Sequence, residues 1–313
     1  MRRVLLSLCC CFAANAHAVD ATGVAPGMVK VPAGDFIMGS NNTGEAQAGK
    51  EFGNAKPWYL DEHPQRKVKT PAYAIDQFEV TNAQYREFVQ KAQHAPPTAW
   101  VESGYIVSLK MEKLAPLDVE QLRRLVTKVF HLDIDTTKFD KEQLLKAVKD
   151  RLLLIDKLPV TYVSWFDADA FCRWTDKRLP TEIEWEKAAR GQQGNEFPWG
   201  TEWAAGKSNS GDESWDDGVA PVGSYKSDKS PFDVYDLAGN VSEWVEDWYK
   251  PYPGSDYKSD DFGTKSKVIR GAAWGREGHY AIKLFQRGAY RFNLSPDSTL
   301  ADLGFRCARD LKK

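Results

Sequence analysis

The chain has 313 residues, and its 42 lysines and arginines against 44 aspartates and glutamates give a formal net charge of −2 at neutral pH. A chain so close to neutral has no field that would attract nucleic acid or an anionic membrane surface, so neither partner is expected. Eleven tryptophans, 23 glycines and 16 prolines favour one compact domain with long ordered loops.

The N-terminus has the features of a secretion signal, which we assign to residues 1–18. Arg2 and Arg3 supply a positive start, an apolar stretch follows from Val4 to Ala14, and Ala16-His17-Ala18 forms a small-x-small cleavage site. A transmembrane anchor is the less favoured interpretation because the stretch is shorter than the roughly 20 residues that span a bilayer. We therefore expect a periplasmic protein cleaved near Ala18, with ordinary and twin-arginine export both open.

Export also bears on the cysteines. Three of the five, Cys9 to Cys11, leave with the signal, so the mature chain keeps Cys172 and Cys307. An even pair in an oxidising compartment favours one disulfide. Two unpaired buried thiols are the alternative.

The first part of the mature chain predicts strands followed by a helix. Residues 28–40 alternate apolar and polar side chains, which predicts a β-hairpin or paired strands, and residues 68–80 alternate again. Thr81 and Gln84 then form a capping box, which predicts a helix from about Asn82 to Lys91.

A segment from about residue 104 to residue 158 differs in composition, because it is rich in Leu, Lys, Asp and Glu and contains no tryptophan. Asp118 and Asp140 are suited to cap two helices, each with one apolar face. The faces consist of Leu122, Leu125, Val126 and Val129, and of Leu144, Leu145, Val148 and Leu152. We predict an inserted helical hairpin that is either a surface decoration or a docking surface for a partner.

Two further capping boxes follow the insertion. Ser164 with Asp167 predicts a helix that reaches about Trp174, and Thr181 with Glu184 predicts a helix over residues 182–190. Residues 195–275 predict a region dominated by loops.

Seven segments, in order, resemble the formylglycine-generating enzyme (sulfatase-modifying factor) family, including its bacterial PvdO-like and TagR-like members. They are VPAGDFIMGS (31–40), FEVTNAQYREFV (78–89), VSWFDADAFCRWTDKRLPTEIEWEKAARG (163–191), PWG (198–200), DLAGNVSEWVEDWY (236–249), VIRGAAW (268–274) and LGFRCAR (303–309). The resemblance implies one irregular α+β domain over residues 19–313, of C-type-lectin-like fold and low in regular structure. It also implies a disulfide between Cys172 and Cys307.

The resemblance further implies one or two bound calcium ions. One set of matching positions is Asp236, Gly239, Val241 and Glu243. A second, less regular set is Asn209, Ser210, Asp217 and Val219. Two carboxylates and alternate backbone carbonyls in the first set suit a hard cation that takes six to eight oxygen ligands. A tight turn with Glu243 in a salt bridge is the alternative.

The chain departs from the family in the segment that holds the catalytic cysteines of its catalytic members. Those members place two cysteines shortly after the positions of Arg270 and Gly271, and the thiolates hold copper(I), activate oxygen and capture the substrate cysteine. Residues 272–291 read AAWGREGHYAIKLFQRGAYR and contain no cysteine. We therefore expect no copper and assign no catalytic residue; the sequence leaves enzyme activity open and favours its absence.

The same segment combines aromatic side chains with arginines, which is typical of a hot spot for protein binding. The candidate binding residues are Trp274, Arg276, His279, Tyr280, Arg287 and Arg291. For any one of them taken alone, burial in the core is the favoured interpretation. The favoured function is a non-catalytic periplasmic binding or regulatory protein, an accessory of type VI secretion signalling that acts through a protein partner. The alternative is a cysteine-independent maturation enzyme of the PvdO kind, which assists oxidation of a tyrosine-derived chromophore.

Overall fold

The structure is a computed structural model that describes residues 24–42, 59–102, 105, 111–130, 132, 134–210, 218–275 and 283–311. Its strands form three small sheets. The strands are β1 (Met28–Val31), β2 (Gly34–Met38), β3 (Arg66–Thr70), β4 (Tyr73–Asp76), β5 (Ser242–Trp248), β6 (Lys267–Arg270), β7 (Arg291–Leu294), β8 (Leu303–Phe305) and β9 (Ala308–Asp310). The strand orders are β1-β4-β9, β2-β3 and β7-β6-β5-β8, and among the strands of the described residues only β5 and β8 run parallel.

The prediction of a β-hairpin over residues 28–40 is wrong in its pairing. Both strands form, but β1 pairs with β4 and β2 pairs with β3. The reason lies at the junction between them, where the Lys187 ammonium donates to the carbonyl oxygens of Pro32 (2.7 Å) and Gly34 (3.0 Å). It also donates to the Thr70 hydroxyl at 2.8 Å. The chain therefore wraps around a lysine from a distant helix, and the two strands diverge into different sheets.

Six α-helices are described, and the predicted ones are confirmed close to their predicted bounds. They are α1 (Asn82–Ala92), α2 (Thr98–Glu102), α3 (Val119–Lys128), α4 (Lys141–Lys157), α5 (Trp165–Trp174) and α6 (Glu182–Arg190). Capping boxes begin five of them, at Thr81, Asp118, Asp140, Ser164 and Thr181. Each box joins residues three apart, so the start of each helix is fixed locally.

Helices α3 and α4 form the predicted hairpin with a core of its own. Both apolar faces turn inward, and the buried members include Leu122, Val126, Leu144 and Val148. The base of the hairpin is tied to α1, because the Arg86 guanidinium contacts both oxygens of Asp156 at 2.6 and 3.2 Å. The insertion is therefore a folded lobe anchored along one side of α4.

The main core consists of two apolar clusters built around buried tryptophans. Trp244 lies in one cluster and Trp185 in the other. Cys172, near the end of α5, and Cys307, before β9, are joined by a disulfide inside the first cluster, with their Cα atoms 5.7 Å apart. Among the described residues, no helix is both long and apolar enough to cross a bilayer.

Candidate functional site

After Gly271, in the segment where the resemblance would place the cysteines of catalytic members, the described residues form an apolar cluster. Ala272 packs with Leu284 and Phe285 from the far side of the segment and with Tyr59 from the chain before β3, and these four residues are buried. We call them the Tyr59 cluster; Tyr290 packs against it. These side chains offer neither a thiolate nor a soft metal ligand. Residues 276–282 lie outside the described residues, so the predictions for Arg276, His279 and Tyr280 stay predictions.

The prediction that Arg287 belongs to a partner surface is wrong. Its residue is only 4% exposed, and its Nη1 and Nη2 donate to Glu62 Oε1 (3.0 Å) and Oε2 (2.6 Å). Its Nε also contacts a carboxylate oxygen of Glu196, and its guanidinium lies 4.3 Å from the centre of the Tyr59 ring. The guanidinium can be buried because these carboxylates pair with it; an unpaired buried charge would be strongly unfavourable.

The prediction that Arg291 belongs to a partner surface is wrong for the same reason. It is 1% exposed and forms two hydrogen bonds to Glu182, from Nε to Oε1 (2.6 Å) and from Nη2 to Oε2 (2.9 Å). Its Nη1 donates to the carbonyl oxygen of Asp61 at 2.7 Å. Trp274, the third candidate that the structure describes, is half-buried. The described residues of this segment therefore form interior structure and do not make an exposed hot spot.

The two arginines belong to a larger buried network that is centred on α6. Arg270 contacts Glu182 Oε1 (3.0 Å) and Glu186 Oε2 (2.7 Å), and Arg190 contacts Glu186 Oε1 (2.6 Å). Burial opposes ionisation of Glu186, but Arg270 and Arg190 outweigh it and lower the pKa of that carboxyl. Burial raises the pKa of Glu62, although Arg287 counteracts it. Opposite charges are thus paired throughout, so the network rigidifies this region.

Sequence reasoning assigned Glu182 and Glu184 to the start of a helix and missed the network. A signal was present in EIEWEKAAR, where Glu182 and Glu186 are four residues apart and Arg190 follows after four more. Residues at this spacing share one face of a helix. A charged face on a helix that is otherwise buried requires partners of opposite charge from elsewhere in the chain.

At the first predicted calcium set, the structure places Glu243 in a salt bridge. Its Oε1 accepts from Arg306 Nη2 (2.6 Å), and its Oε2 accepts from Arg306 Nε (2.7 Å) and Trp185 Nε1 (2.9 Å). Glu243 therefore forms the salt bridge that the alternative interpretation of this turn predicts. Asp236 Oδ2 accepts from the Gly223 amide at 2.6 Å.

The charge around this turn remains unbalanced. Glu79 and Asp228 are buried beside Asp236 and Glu243, and Arg306 is the cation that contacts Glu243. Burial, with neighbouring carboxylates, raises the pKa values of Glu79 and Asp228 well above their ordinary range, and burial raises that of Asp236 to about 6. Such a surplus of buried carboxylates fits a divalent cation, which would keep them ionised.

The type of donor also bears on the ion. Among the described residues, no three or more histidine, cysteine, aspartate or glutamate side chains converge as a metal site. The resemblance would place an ion at this turn on Asp236, the Gly239 and Val241 carbonyls and a share of Glu243, which is an oxygen-only set. Oxygen ligands with many carbonyls among them suit calcium and not a soft or redox-active metal.

The second predicted set lies directly against the first. The Asn209 carbonyl accepts from the Asn240 amide at 2.7 Å, and a Cβ on Gly239 would come within 2.5 Å of that carbonyl oxygen. Asn209 Nδ2 donates to the carbonyl of Gly218 and to Asn240 Oδ1, both at 3.1 Å. Ser210 is buried and Val219 half-buried, while Asp217 lies outside the described residues.

Comparison with known proteins agrees with this architecture. The family model described as the sulfatase-modifying factor enzyme 1-like domain matches residues 14–311. The inactive C-alpha-formylglycine-generating enzyme 2 of Mus musculus is 32% identical over 93% of this chain and 87% of its own. The formylglycine-generating enzyme of Streptomyces coelicolor is 31% identical over 91% of this chain and 89% of its own. PvdO from Pseudomonas aeruginosa superimposes with a TM-score of 0.58 at 23% identity, covering 92% of this chain and 95% of PvdO.

Proposed function

The chain belongs to the sulfatase-modifying factor family, and on that premise we propose that it is a non-catalytic periplasmic member that binds and regulates a protein partner. The observation that carries the proposal is the absence of cysteine from residues 272–291. Without thiolates there is no group to hold copper(I) or to form a disulfide with a substrate cysteine.

The packing around that segment supports the proposal. The Tyr59 cluster fills the described part of the position with apolar side chains, and Arg287 is committed to Glu62 and Glu196. A relative that is itself named inactive aligns with this chain about as well as an active one does, at 32% and 31% identity. Overall identity therefore does not separate these two relatives, and the proposal depends on the cysteine positions.

A binding role is supported by the insertion. Helices α3 and α4 bury an apolar core of their own. The lobe adds surface, including a Leu153 that is 48% exposed, which catalysis does not require. We infer a protein partner that contacts this lobe, and accessory function in type VI secretion signalling is the specific role proposed. The chromophore-maturation alternative has weaker support, because the likeness to PvdO at 23% identity is a likeness of fold.

The proposal includes calcium at the turn from Asp236 to Glu243. The excess of buried carboxylates around this turn supports an ion there. A cation bound at this turn would hold the loops around α6 together, and we assign it a structural role. The same proposal includes a second ion at Asn209, Ser210, Asp217 and Val219.

Partner binding is tested by capture from periplasmic extract with the full chain and with a chain lacking residues 104–158. Any captured protein is then purified and its affinity for both chains is measured. The proposal predicts a secretion or signalling component that binds the full chain and loses affinity for the shortened one. Equal affinity for both chains would remove the lobe from the binding surface, and turnover of a small phenol would favour the maturation enzyme.

A further inference from the structure

We propose that a cavity of about 490 Å³ beside Leu60 and Tyr257 binds a short extended peptide whose apolar side chain is flanked by residues of opposite charge. The cavity opens between the chain that precedes β3 and the loop that follows β5. Its volume falls within the range of about 300–1,000 Å³ that is usual for ligand sites. This inference rests on the proposed function in one respect, which is that the ligand is a segment of a protein.

One wall of the cavity is held rigidly by the buried network. Leu60 begins a short 3-10 helix, Leu60–Glu62, whose two acidic residues are both fixed. The Asp61 carboxylate accepts from the Tyr249 hydroxyl (2.6 Å), the Asp61 carbonyl accepts from Arg291 (2.7 Å), and Glu62 binds Arg287. A wall fixed before binding loses little freedom when a ligand arrives, which favours affinity.

The next residues extend the same wall. His63 Nε2 lies 2.8 Å from the Asn42 carbonyl oxygen, so that nitrogen carries the proton of the hydrogen bond. Pro64 follows and lines the cavity with Leu60. This wall thus combines apolar side chains with a polar one, which is the usual composition of a site that orients a ligand.

The opposite wall carries Tyr257 between two charges. The Tyr257 ring packs edge-on against Phe262, with centroids 5.8 Å apart, and its amide donates to the Ser255 hydroxyl at 3.3 Å. Burial, with Asp61 and Asp261 nearby, raises the pKa of Tyr257, so its hydroxyl stays neutral. The ring therefore offers a fixed apolar face with a neutral hydrogen-bonding tip.

Asp256 and Lys258 precede and follow Tyr257 in the chain, line the same cavity and are exposed. Within the described residues, neither forms an ion pair with the other or with a third group. Either charge alone would be ordinary on a protein surface. In the lining of one cavity together with Tyr257, the two charges complement a ligand with an apolar side chain between an acidic and a basic residue.

The test uses three capped tripeptides: acetyl-Lys-Phe-Glu-amide, acetyl-Glu-Phe-Lys-amide and acetyl-Lys-Gly-Glu-amide. Binding to the full chain is measured by calorimetric titration. We expect one of the two phenylalanine peptides to bind about tenfold more tightly than the glycine peptide, since a buried aromatic ring contributes more than the 1.4 kcal/mol that a factor of ten requires. Tyr257→Ala should remove that advantage.

The order of the two charges in the peptide gives a more specific test than the presence of the phenylalanine. The double exchange Asp256→Lys with Lys258→Asp should reverse whichever order the wild-type protein prefers. The control is the exchange Lys146→Asp with Asp150→Lys on α4, an exposed pair of the same two residue types that is remote from the cavity. It should leave the preference unchanged.

Three outcomes would overturn the proposal. They are equal binding of the phenylalanine and glycine peptides, equal binding of both charge orders, and an exchange variant that keeps the wild-type preference. Melting curves of each variant confirm that it is folded. A failure here leaves the non-catalytic assignment untouched, because that assignment is tested by conversion of a cysteine peptide.

Discussion

Arg287 Nη2 lies 2.6 Å from Glu62 Oε2 across 225 positions of sequence, and both side chains are buried. This pair joins the segment that lacks the catalytic cysteines to the chain before β3. A second bond of 3.0 Å between Nη1 and Oε1 makes the contact two-pronged. The pair therefore fixes the described end of that segment in one conformation.

Removing one partner of this pair should be strongly destabilising. Arg287→Met leaves Glu62 buried without its cation, and the expected loss in the free energy of unfolding is about 3–5 kcal/mol. Urea denaturation measures it. Adding Glu62→Gln to the same chain should recover part of the loss, because the uncompensated charge is gone.

The matched control for that variant is Arg309→Met. Arg309 pairs with an Asp176 side chain that is 87% exposed, and exposed pairs contribute about 0–1 kcal/mol. Similar losses for the two methionine variants would show that the buried pair has no special part in stability.

Calcium should stabilise the folded protein. A ligand that binds only the folded state adds about 2.7 kcal/mol when its concentration is 100 times its Kd. Treatment with a calcium chelator should therefore lower the Tm, and calcium addition should restore it. Asp236→Asn should remove most of this response, since it deletes the carboxylate that we assign as a ligand. An unchanged melting curve, together with no calcium by elemental analysis, would reject the site.

Asp247 predicts a distinct dependence of stability on pH. Its Oδ2 accepts from the Glu182 amide at 2.6 Å, and burial, followed by the Glu182 charge, raises its pKa to about 6. Glu246 and Lys267 are the other charged groups that act on it. Because the unfolded pKa is about 3.9, the folded state binds more protons between these values, so stability falls as pH rises from about 4 to about 6.

Asp247→Asn lacks this titration. The stability of the variant relative to wild type should therefore increase by up to about 2–3 kcal/mol between pH 4 and pH 7. Denaturation curves at intervals across this range measure the difference. Parallel profiles for the two proteins would mean that Asp247 titrates as an ordinary exposed aspartate.

The helical hairpin should behave as a separate unit of stability. Leu122→Ala creates a cavity in the small core of α3 and α4, with an expected local loss of about 2–5 kcal/mol. Amide hydrogen exchange should then accelerate in these two helices and not in α6. Equal acceleration in α6 would show that the insertion and the main core unfold together.

A feature was predictable from the sequence when the residues that determine it are close together in the chain, and was not when they are far apart. The helix starts at Thr81, Asp118 and Asp140 were predictable, because a capping box joins residues three apart. The pairing of β1 and β2 was not, because the Lys187 ammonium that separates them comes from about 150 positions further along. Local alternation shows that a strand forms but does not identify its neighbour.

The same limit explains the error at Arg287 and Arg291. An arginine beside aromatic residues is typical of a binding surface and also of a buried ion pair. The choice depends on whether carboxylates reach it, and these come from Glu62 and Glu182, more than one hundred positions away. The missing cysteines, by contrast, are visible in the sequence itself and need no structure.

The central claim is tested most directly by the family's own reaction. The purified chain, supplied with copper(I) and oxygen, is incubated with a cysteine-containing substrate peptide, beside an active formylglycine-generating enzyme as a positive control, and the peptide is analysed by mass spectrometry. We predict that the control converts the cysteine to an aldehyde and that this chain leaves the peptide unchanged. Formation of the aldehyde by this chain would contradict the account.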